Sequence, residues 1–215
     1  MLNVGGLFGY IREWMGVERV LYLVYDDPIL TEDMMEHMTY LQLEVIKRVL
    51  ADVKIDCAMF WEDMCFKTGP LISPKMVKRF MVPRYRKVTE ILRSAGVTSI
   101  FVDSDGNLNQ LIPLWLESGI NGFWPLECAA GNDAVALRKQ YGKDIILAGN
   151  IDKRAFLKTE DVLREEIMRK VPFLLESGGY FPSLDHLVPP DVPLRMYQYF
   201  IDTLREIAGL EKVSW

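Results

Sequence analysis

The stretch AVALRKQYGKDIILAGNID, residues 134–152, holds the repeating pattern that decides the fold. Ala134–Tyr141 has the apolar spacing of a helix, and Gly142 suits the left-handed position after a helix, where a side chain would clash. Asp144–Ala148 is then an apolar run of strand length, typical of a strand covered on both faces. The run ends in the polar segment Gly149–Asp152. A helix, a glycine, a buried strand and a polar loop, in that order, indicate the α/β class.

The same unit recurs along the chain. Helices are predicted to begin at Thr31, at Ser73-Pro74 and at Thr159, where a hydroxyl side chain would cap the first turn. Further helices are predicted at residues 108–118, 134–141 and 194–208. The predicted strands are Leu2–Leu7, Ile55–Trp61, Val97–Val102, Ile120–Leu126, Asp144–Ala148 and Tyr180–Leu184. Strands that alternate with helices favour a parallel sheet with right-handed crossovers.

The first of these helices carries a clear apolar stripe. Met34, Met38, Leu41, Val45 and Val49 recur at helical spacing, which predicts that this face is buried. No linker rich in Pro, Gly or Ser divides the chain, so residues 1–215 are predicted to form one domain. An open doubly wound sheet and an incomplete barrel both fit about six strands.

Composition excludes several classes of protein. Of the 215 residues, 50% are hydrophobic and 26% charged, and the formal net charge is -5, so no broad basic surface invites nucleic acid or an anionic membrane. No apolar run approaches the ~20 residues that span a bilayer. The three cysteines are too few and scattered for a disulfide framework. We therefore expect a cytoplasmic protein.

Polar side chains follow each of the last five predicted strands. They are Glu62 and Asp63; Asp103, Asp105 and Asn107; Glu127; Asn150 and Asp152; and His186. Ligands of α/β proteins bind at the carboxyl ends of parallel strands, so these groups are predicted to converge on one cleft. The predicted catalytic residues are His186, Glu62, Asp63 and Asp105, and the predicted substrate-binding residues are Asp103, Asn107, Glu127, Asn150 and Asp152. Turn and helix-cap chemistry is the alternative for the Asp and Asn residues.

No local motif identifies a metal or nucleotide. Cys57, Cys65 and Cys128 lack Cys-x-x-Cys or His-x-Cys spacing, and neither a Walker sequence nor a complete Gly-x-Gly-x-x-Gly occurs. The cofactor and any metal are therefore left undetermined. If the cleft binds an ion, its oxygen-rich groups would prefer a hard or borderline cation.

Four ordered segments resemble the uroporphyrinogen decarboxylase superfamily. The first is Thr68–Pro74 with its continuation Phe80–Tyr85, and the second is Asp103–Asn107. The third is Gly149–Asp152, and the fourth runs from Gly178 through Asp185-His186 to Pro193. The resemblance implies a (β/α)₈ barrel of the TIM-barrel type. It also implies that the chain begins near the third strand and lacks the first two βα units.

The chain departs from the sequence pattern of this family at several positions. His186 matches the histidine of a Gly-His-Gly segment but follows Asp185, and Asp63 stands where decarboxylases commonly have serine. The thiol-directed methyltransferases bind zinc through a His-x-Cys motif and a further cysteine, where this chain has Asp103-x-Asp105 and His186. A zinc-thiolate site is therefore not expected.

The resemblance implies an enzyme that acts on a tetrapyrrole- or corrinoid-related substrate. We predict methyl transfer from a methylcorrinoid, because the segment Thr68–Pro74 is closer to the methyltransferase-like branch. The first alternative is a uroporphyrinogen decarboxylase, which is a carboxy-lyase of porphyrin biosynthesis. The second alternative is a truncated, non-catalytic binding module. The expected partner is a small tetrapyrrole or a corrinoid protein. A homo-oligomer is also predicted, with Leu2–Leu7 near the contact, because an open sheet leaves two unpaired edges.

Overall fold

The computed structural model describes all residues from Met1 to Trp215. The strands are β1 (Leu2–Gly5), β2 (Cys57–Trp61), β3 (Cys65–Phe66), β4 (Gly69–Pro70), β5 (Ser99–Asp103), β6 (Gly122–Trp124), β7 (Ile146–Ile151) and β8 (Tyr180–Leu184). Six of them form a parallel sheet in the order β1-β2-β5-β6-β7-β8, which is not closed. Strands β3 and β4 pair separately as an antiparallel hairpin. The predicted α/β fold with six parallel strands is confirmed.

Helices connect the strands of the sheet. They are α1 (Phe8–Met15), α2 (Val17–Asp26), α3 (Pro28–Asp52), α4 (Pro74–Met76), α5 (Val82–Ser94), α6 (Ile112–Glu117), α7 (Ala134–Tyr141), α8 (Glu160–Ser177) and α9 (Leu194–Ile207). A π-helical segment, Val77–Met81, joins α4 to α5. No helix combines the length and the apolar character that crossing a bilayer requires.

The chain forms two compact units, Met1–Phe123 and Trp124–Trp215. In the first unit β1, β2 and β5 are neighbours, and Trp61 at the end of β2 lies opposite Asp103 at the end of β5. The rings of Phe60 and Tyr85 meet edge to face in the core, with 5.0 Å between their centroids. This register brings the carboxyl ends of β2 and β5 side by side.

In the second unit α7, α8 and β8 follow the sequence prediction, but β7 does not. Strand β7 spans Ile146–Ile151 rather than Asp144–Ala148, so Gly149, Asn150 and Ile151 of the predicted polar loop belong to the strand, and β6 spans Gly122–Trp124 rather than Ile120–Leu126. Helix α7 has the predicted bounds, and Thr159 caps α8 by accepting a hydrogen bond from the Val162 amide. Strand β8 also has its predicted bounds, and Ile151 of β7 lies opposite Leu184 of β8. In the first unit β2 and β5 each begin two residues later than predicted, and α6 is shorter than predicted.

The region before β2 differs most from the prediction. Helices α1 and α2 were not predicted, and α3 begins at Pro28 rather than after Thr31. Asp27 is the cap, because its Oδ1 accepts a hydrogen bond from the Leu30 amide at 2.9 Å. Thr31 lies inside the helix and donates to the Asp27 carbonyl at 3.0 Å. The prediction of a Thr31 cap was wrong, because an Asp followed by proline starts the helix four residues earlier.

Helix α3 also buries a different face from the predicted one. The buried positions are Thr31, Met35, Met38, Thr39, Gln42 and Ile46, whereas Leu41 and Val45 are each 47% exposed. Of the predicted stripe only Met38 is buried. On the buried face Thr39 donates to the Met35 carbonyl at 2.7 Å and the Gln42 Nε2 donates to the Gly6 carbonyl at 3.3 Å, whereas the Gln42 Oε1 has no hydrogen-bond partner. An apolar stripe of this helix is thus left on the surface.

In each unit one arginine donates hydrogen bonds to backbone carbonyls at the amino-terminal ends of two neighbouring strands. Arg93, near the end of α5, donates to the Val97, Thr98 and Gly119 carbonyls. Arg138 of α7 is buried and donates to the carbonyls of Gly142, Ile145 and Gly179. Each guanidinium therefore bridges two turns. One turn joins the arginine's own helix to the following strand, and the other precedes the strand after that.

Candidate active site

Glu62, directly after β2, is fully buried and anchors helix α1. Its Oε1 accepts a hydrogen bond from the Leu7 amide at 2.8 Å, and its Oε2 accepts one from the Gly9 amide at 3.0 Å. These amides lie at the amino terminus of α1, which attracts negative charge. Burial raises the pKa of Glu62 to about 7, although these hydrogen bonds lower it. A Cβ at Gly9 would lie 2.5 Å from the Trp61 carbonyl oxygen, so the contact requires glycine.

Asp63 joins α1 to the loop after β5. Its backbone has a φ of 45°, which is rare for a residue with a side chain. Arg12 of α1 donates to the Asp63 Oδ2 at 3.0 Å and to its carbonyl at 2.8 Å, and the Asp105 amide donates to Oδ1 at 3.3 Å. The Arg12 guanidinium also lies 5.3 Å from the Trp61 ring centroid. The Asp63 carboxylate is therefore held in one position with part of its surface exposed.

The loop after β5 continues this cluster. The carbonyl of Asp103 accepts hydrogen bonds from the amides of Glu62 and Asp63, at 2.9 and 3.2 Å. The Oδ1 of Asn107 accepts from the Asn109 amide at 3.1 Å, the geometry of an Asx turn. In the first unit the structure thus brings together Glu62, Asp63, Asp103 and Asp105, with Asn107 in the turn that follows.

Asn150, in the second unit, organises the loops around the end of β7. It is buried with a φ of 61°, and its Nδ2 donates to the Leu126 and Asn132 carbonyls at 2.7 and 3.0 Å. Its Oδ1 accepts from the Ala134 amide at 3.0 Å. From its place in β7, Asn150 therefore fixes the loop after β6 and the start of α7.

Asp152, next along this loop, is held by the Arg154 guanidinium at 2.6 Å. The hydrogen bond from Arg154 lowers the pKa of Asp152 below its ordinary value. The Asp152 amide donates to Oε1 of Glu166 at 3.1 Å. Asp152 and Glu166 line a surface cavity of about 320 Å³, together with Arg154 and Arg169. The loop therefore presents paired charges rather than an isolated carboxylate.

A buried lysine lies behind these loops and was not predicted from the sequence. Lys170 is 4% exposed, and its Nζ lies 2.6 Å from the Glu166 Oε1 and 3.3 Å from the Cys128 Sγ. It also donates to the Asn150 carbonyl. A signal existed, because Lys170 occupies the apolar face of α8 that Ile167 and Leu174 define. A charged residue in such a stripe needs partners inside the protein.

Asp185, another residue that the sequence prediction left out of the site, ties three strand ends together. It is 1% exposed; its Oδ2 accepts from the Cys128 amide at 2.8 Å and its Oδ1 from the Lys153 amide at 2.9 Å. The loops after β6 and β7 are thus fastened to the end of β8. His186, the next residue, and Glu127 are both half-buried in this unit. The convergence of all nine predicted residues on one cleft stays a prediction.

The cysteines of this region are neutral thiols. Burial raises the pKa of Cys128 to about 12, even though the neighbouring Lys170 lowers it. Burial likewise raises the pKa of Cys65 to about 12. No group of three His, Cys, Asp or Glu side chains is arranged to hold a metal ion. The preference for a hard cation, if an ion binds, stays a prediction.

Residues 6–207 match the family model described as uroporphyrinogen decarboxylase (URO-D). The chain belongs to this family. The family assignment made from the four sequence segments is thereby confirmed. The match runs from the glycine before α1 to the last residue of α9, so it includes both clusters of strand-end residues.

Curated relatives share about half of their length with the chain. A uroporphyrinogen decarboxylase of Legionella pneumophila (strain Corby) is 22% identical over 198 residues, which are 89% of this chain and 52% of the relative. One of Psychromonas ingrahamii is 26% identical over 157 residues, which are 67% of this chain and 41% of the relative. The chain therefore spans only part of proteins that carry the decarboxylase name.

A solved structure, a methyltransferase from Methanosarcina mazei, has a similar fold. Its TM-score is 0.69 at 17% sequence identity, and the match covers 95% of this chain and 58% of that chain. At this identity the likeness concerns the fold alone. It supports the barrel-type arrangement of the six parallel strands.

Proposed function

We propose that this family member transfers a methyl group, with a methylcorrinoid as the methyl-bearing substrate and without a zinc-thiolate site. One observation carries the proposal: the strand ends are rich in carboxylates. In the first unit Asp63 follows β2, Asp103 is the last residue of β5 and Asp105 follows it; in the second unit Glu127 follows β6 and Asp152 follows β7. Acidic side chains at these places add no positive charge that would bind a substrate with many carboxylates, so they favour a substrate of another kind.

The cations near these carboxylates support this choice. The Arg12 guanidinium is already committed to Asp63, and that of Arg154 is committed to Asp152. A polycarboxylate porphyrinogen needs cations that the protein does not neutralise, and neither Arg12 nor Arg154 is such a cation. In the proposed reaction the acceptor attacks the methyl group of the methylcorrinoid substrate, and the cobalt–carbon bond breaks with its electron pair left on the corrinoid as Co(I). His186 or one of the acids takes the proton that the acceptor loses, while the remaining polar groups orient the acceptor.

The placement of the cysteines also fits the proposal. Zinc itself lowers the pKa of a thiol that coordinates it, so geometry decides, and no group of three His, Cys, Asp or Glu side chains is placed to hold a metal ion. The side chains at the strand ends offer hydrogen bonds and negative charge instead. They would therefore bind and orient an acceptor rather than activate it on a metal.

Decarboxylation of uroporphyrinogen is the second candidate, and it rests on the curated relatives. Five curated relatives that the chain matches carry the name uroporphyrinogen decarboxylase. The acidic strand ends argue against it, since each carboxylate raises the cost of binding an anionic side chain at close range. The two candidates predict different substrates, so one pair of assays separates them.

The test compares two reactions of the purified protein. In the first, methylcobalamin is incubated with thiol and amine acceptors, and loss of its methyl group is followed by absorbance. In the second, uroporphyrinogen is supplied, and its products are separated after oxidation to fluorescent porphyrins. We expect demethylation that falls at least tenfold in Asp105→Asn, with little change in the matched surface variant Asp161→Asn. Conversion of uroporphyrinogen to less carboxylated products, with no methyl transfer, would refute the proposal.

A further inference from the structure

Lys170 and Glu166 form a charged pair inside the second unit, at the end of β7. The two residues are one turn apart on α8, and the Lys170 Nζ lies 2.6 Å from the Glu166 Oε1. Their side chains are only 5% and 10% exposed. Burial alone would raise the pKa of Glu166, but hydrogen bonds from Arg169 and Lys170 lower it below its ordinary value, so the carboxylate is ionised. Removing two charges from water costs free energy that their attraction offsets only in part.

The pair holds the backbone on both sides of Ile151, the last residue of β7. Lys170 donates a hydrogen bond to the Asn150 carbonyl, and the Glu166 Oε1 accepts one from the Asp152 amide at 3.1 Å. Asn150 has a φ of 61°, in the left-handed region that residues with side chains rarely adopt. Such a conformation costs free energy and persists only where its surroundings fix it. The charged pair is one of the groups that fix it here.

The pair also reaches the loop after β6. The Lys170 Nζ lies 3.3 Å from the Cys128 Sγ, and Cys128 comes directly after Glu127. The side chain of Asn150, whose carbonyl Lys170 holds, also donates to a backbone carbonyl of this loop. The loops after β6 and β7 are therefore held by the same buried ammonium group. Their acids, Glu127 and Asp152, are two of the carboxylates in the proposed site.

Neither charge of the pair is free to meet a substrate. Lys170 is buried, and both oxygens of Glu166 have partners. Its Oε1 binds Lys170 and the Asp152 amide, and its Oε2 binds Arg169. A purely structural role is the alternative, and apolar side chains of similar volume fill an interior at least as well as an ion pair does. Apolar side chains cannot, however, supply the hydrogen bonds to the two backbone groups around Ile151.

We infer that Lys170 and Glu166 together position the ends of β6 and β7 for the reaction. They hold Asn150 and Asp152 in one backbone conformation. This keeps the carboxylates of Glu127 and Asp152 in place for the methyl acceptor. Lys170 and Glu166 are positioning residues, because they act through the residues that they hold. The kinetic part of the inference rests on the proposed methyl transfer, whereas the effect on backbone position does not.

The double variant Lys170→Met with Glu166→Met separates positioning from stability. It leaves neither charge of the pair without its partner, so its free energy of unfolding in urea should stay close to that of the wild type or exceed it. The kcat for demethylation of methylcobalamin should nevertheless fall about 10-fold or more, with a smaller change in the KM of the acceptor, because the bound acceptor is misplaced. A double variant that is as stable as the wild type and keeps its kcat would overturn the inference.

The control variant is Glu44→Met with Lys47→Met, which removes an exposed pair on α3. The Lys47 Nζ lies 2.9 Å from the Glu44 Oε1, and their side chains are 56% and 36% exposed. This control should leave both stability and kcat near the wild-type values.

Hydrogen exchange supplies a readout that needs no methyl transfer. The amide of Ala134 is informative because its partner is the Asn150 side chain, at 3.0 Å, and not the pair itself. In the double variant this amide hydrogen should exchange about 10-fold or more faster than in the wild type. The amide hydrogens of Tyr180–Leu184, in β8 of the same unit, should exchange as in the wild type. Equal acceleration in β8 would show a general loss of stability and would overturn the inference.

The inference and the proposed function fail in different ways. A wild type that transfers no methyl group to any acceptor contradicts the proposed function, and exchange at Ala134 then decides the inference alone. Wild-type methyl transfer, together with unchanged exchange at Ala134 in the double variant, overturns the inference and leaves the proposed function standing. If the double variant does not fold, Lys170→Met alone replaces it with the same expected outcomes, because Arg169 still pairs with Glu166 in that variant.

Discussion

Replacing Glu62 by glutamine is expected to change how stability depends on pH. Burial raises the pKa of Glu62 in the folded protein to about 7 from an ordinary 4.5. The folded state therefore binds this proton more tightly than the unfolded chain does. The stabilising contribution is complete below the unfolded pKa and is lost as pH rises through the folded pKa, so the free energy of unfolding falls between about pH 4.5 and 7.

The magnitude follows from the two pKa values. Between pH 5 and pH 8 the linkage relation gives a loss of about 2.5 kcal/mol from this one group. Glutamine has no proton to lose in this range. However, its amide nitrogen would face the Leu7 or Gly9 amide, each of which now donates to a carboxylate oxygen. That mismatch is expected to cost about 1–3 kcal/mol at pH 5, where Glu62 is mostly protonated.

The assay is urea unfolding of the wild type and Glu62→Gln at several pH values from about 5 to 8. The free energy of unfolding of the wild type minus that of Glu62→Gln should fall by about 2.5 kcal/mol from pH 5 to pH 8, so that the variant becomes about as stable as the wild type or more stable. Taking the difference removes the contribution of the other acids, which both proteins share. Glu90→Gln, at an exposed position of α5, is the control and should track the wild type. A constant difference between wild type and Glu62→Gln across the range would show that the reasoning about this carboxyl is wrong.

Three further predictions concern stability and thiol reactivity. Arg138→Leu removes the donor of three backbone carbonyls in the turns before β7 and β8, and it should lower the free energy of unfolding by ~3 kcal/mol. The control Arg19→Leu, at an exposed site, should change the free energy of unfolding little. Equal effects of the two variants in urea unfolding would contradict this. Asp27→Ala should cost about 1 kcal/mol through loss of the α3 cap, measured against Asp33→Ala in the same helix, and an equal loss in both would count against the cap. Because burial raises the pKa of Cys128 to about 12, iodoacetamide at neutral pH should alkylate it at least ~100-fold more slowly in the folded protein than in urea; mass spectrometry that finds similar rates would be incompatible with this.

Local signals predicted most of the second unit. The Thr159 cap, the bounds of α7 and the strand Tyr180–Leu184 depend on residues close in sequence, and all three are confirmed. The face of α3 was missed because the helix has two overlapping apolar stripes. Periodicity identifies a stripe, but only the packing partners decide which one is buried. Helices α1 and α2 were missed in a stretch where glycines interrupt the pattern.

The residues of the candidate site likewise divide into those with a local sequence signal and those without one. The acids at the strand ends could be found because a polar residue after an apolar run is a local pattern, as at Asp63 and Asp105. Arg12 and Asp185 were missed because their partners lie far away in sequence; Arg12 and Asp63 are 51 residues apart. Lys170 was missed although its place on the apolar face of α8 and its partner Glu166, four residues earlier, are both local. The sequence also could not reveal that the Glu62 carboxylate points to the start of α1, since this depends on the close approach of Gly9 to the Trp61 carbonyl.

The hydrogen bonds of Arg93 and Arg138 to backbone carbonyls affect where this chain can be recombined with a relative. The acceptors of Arg93 lie at residues 97, 98 and 119, and those of Arg138 lie at residues 142, 145 and 179. A crossover between Phe123 and Trp124, the boundary of the two units, separates neither arginine from its acceptors. Each half then keeps one arginine together with all of its carbonyl acceptors, before β5 and β6 in the first half and before β7 and β8 in the second. Chimeras joined at this boundary should therefore tolerate divergent parents better than chimeras joined between residues 93 and 119 or between 138 and 179.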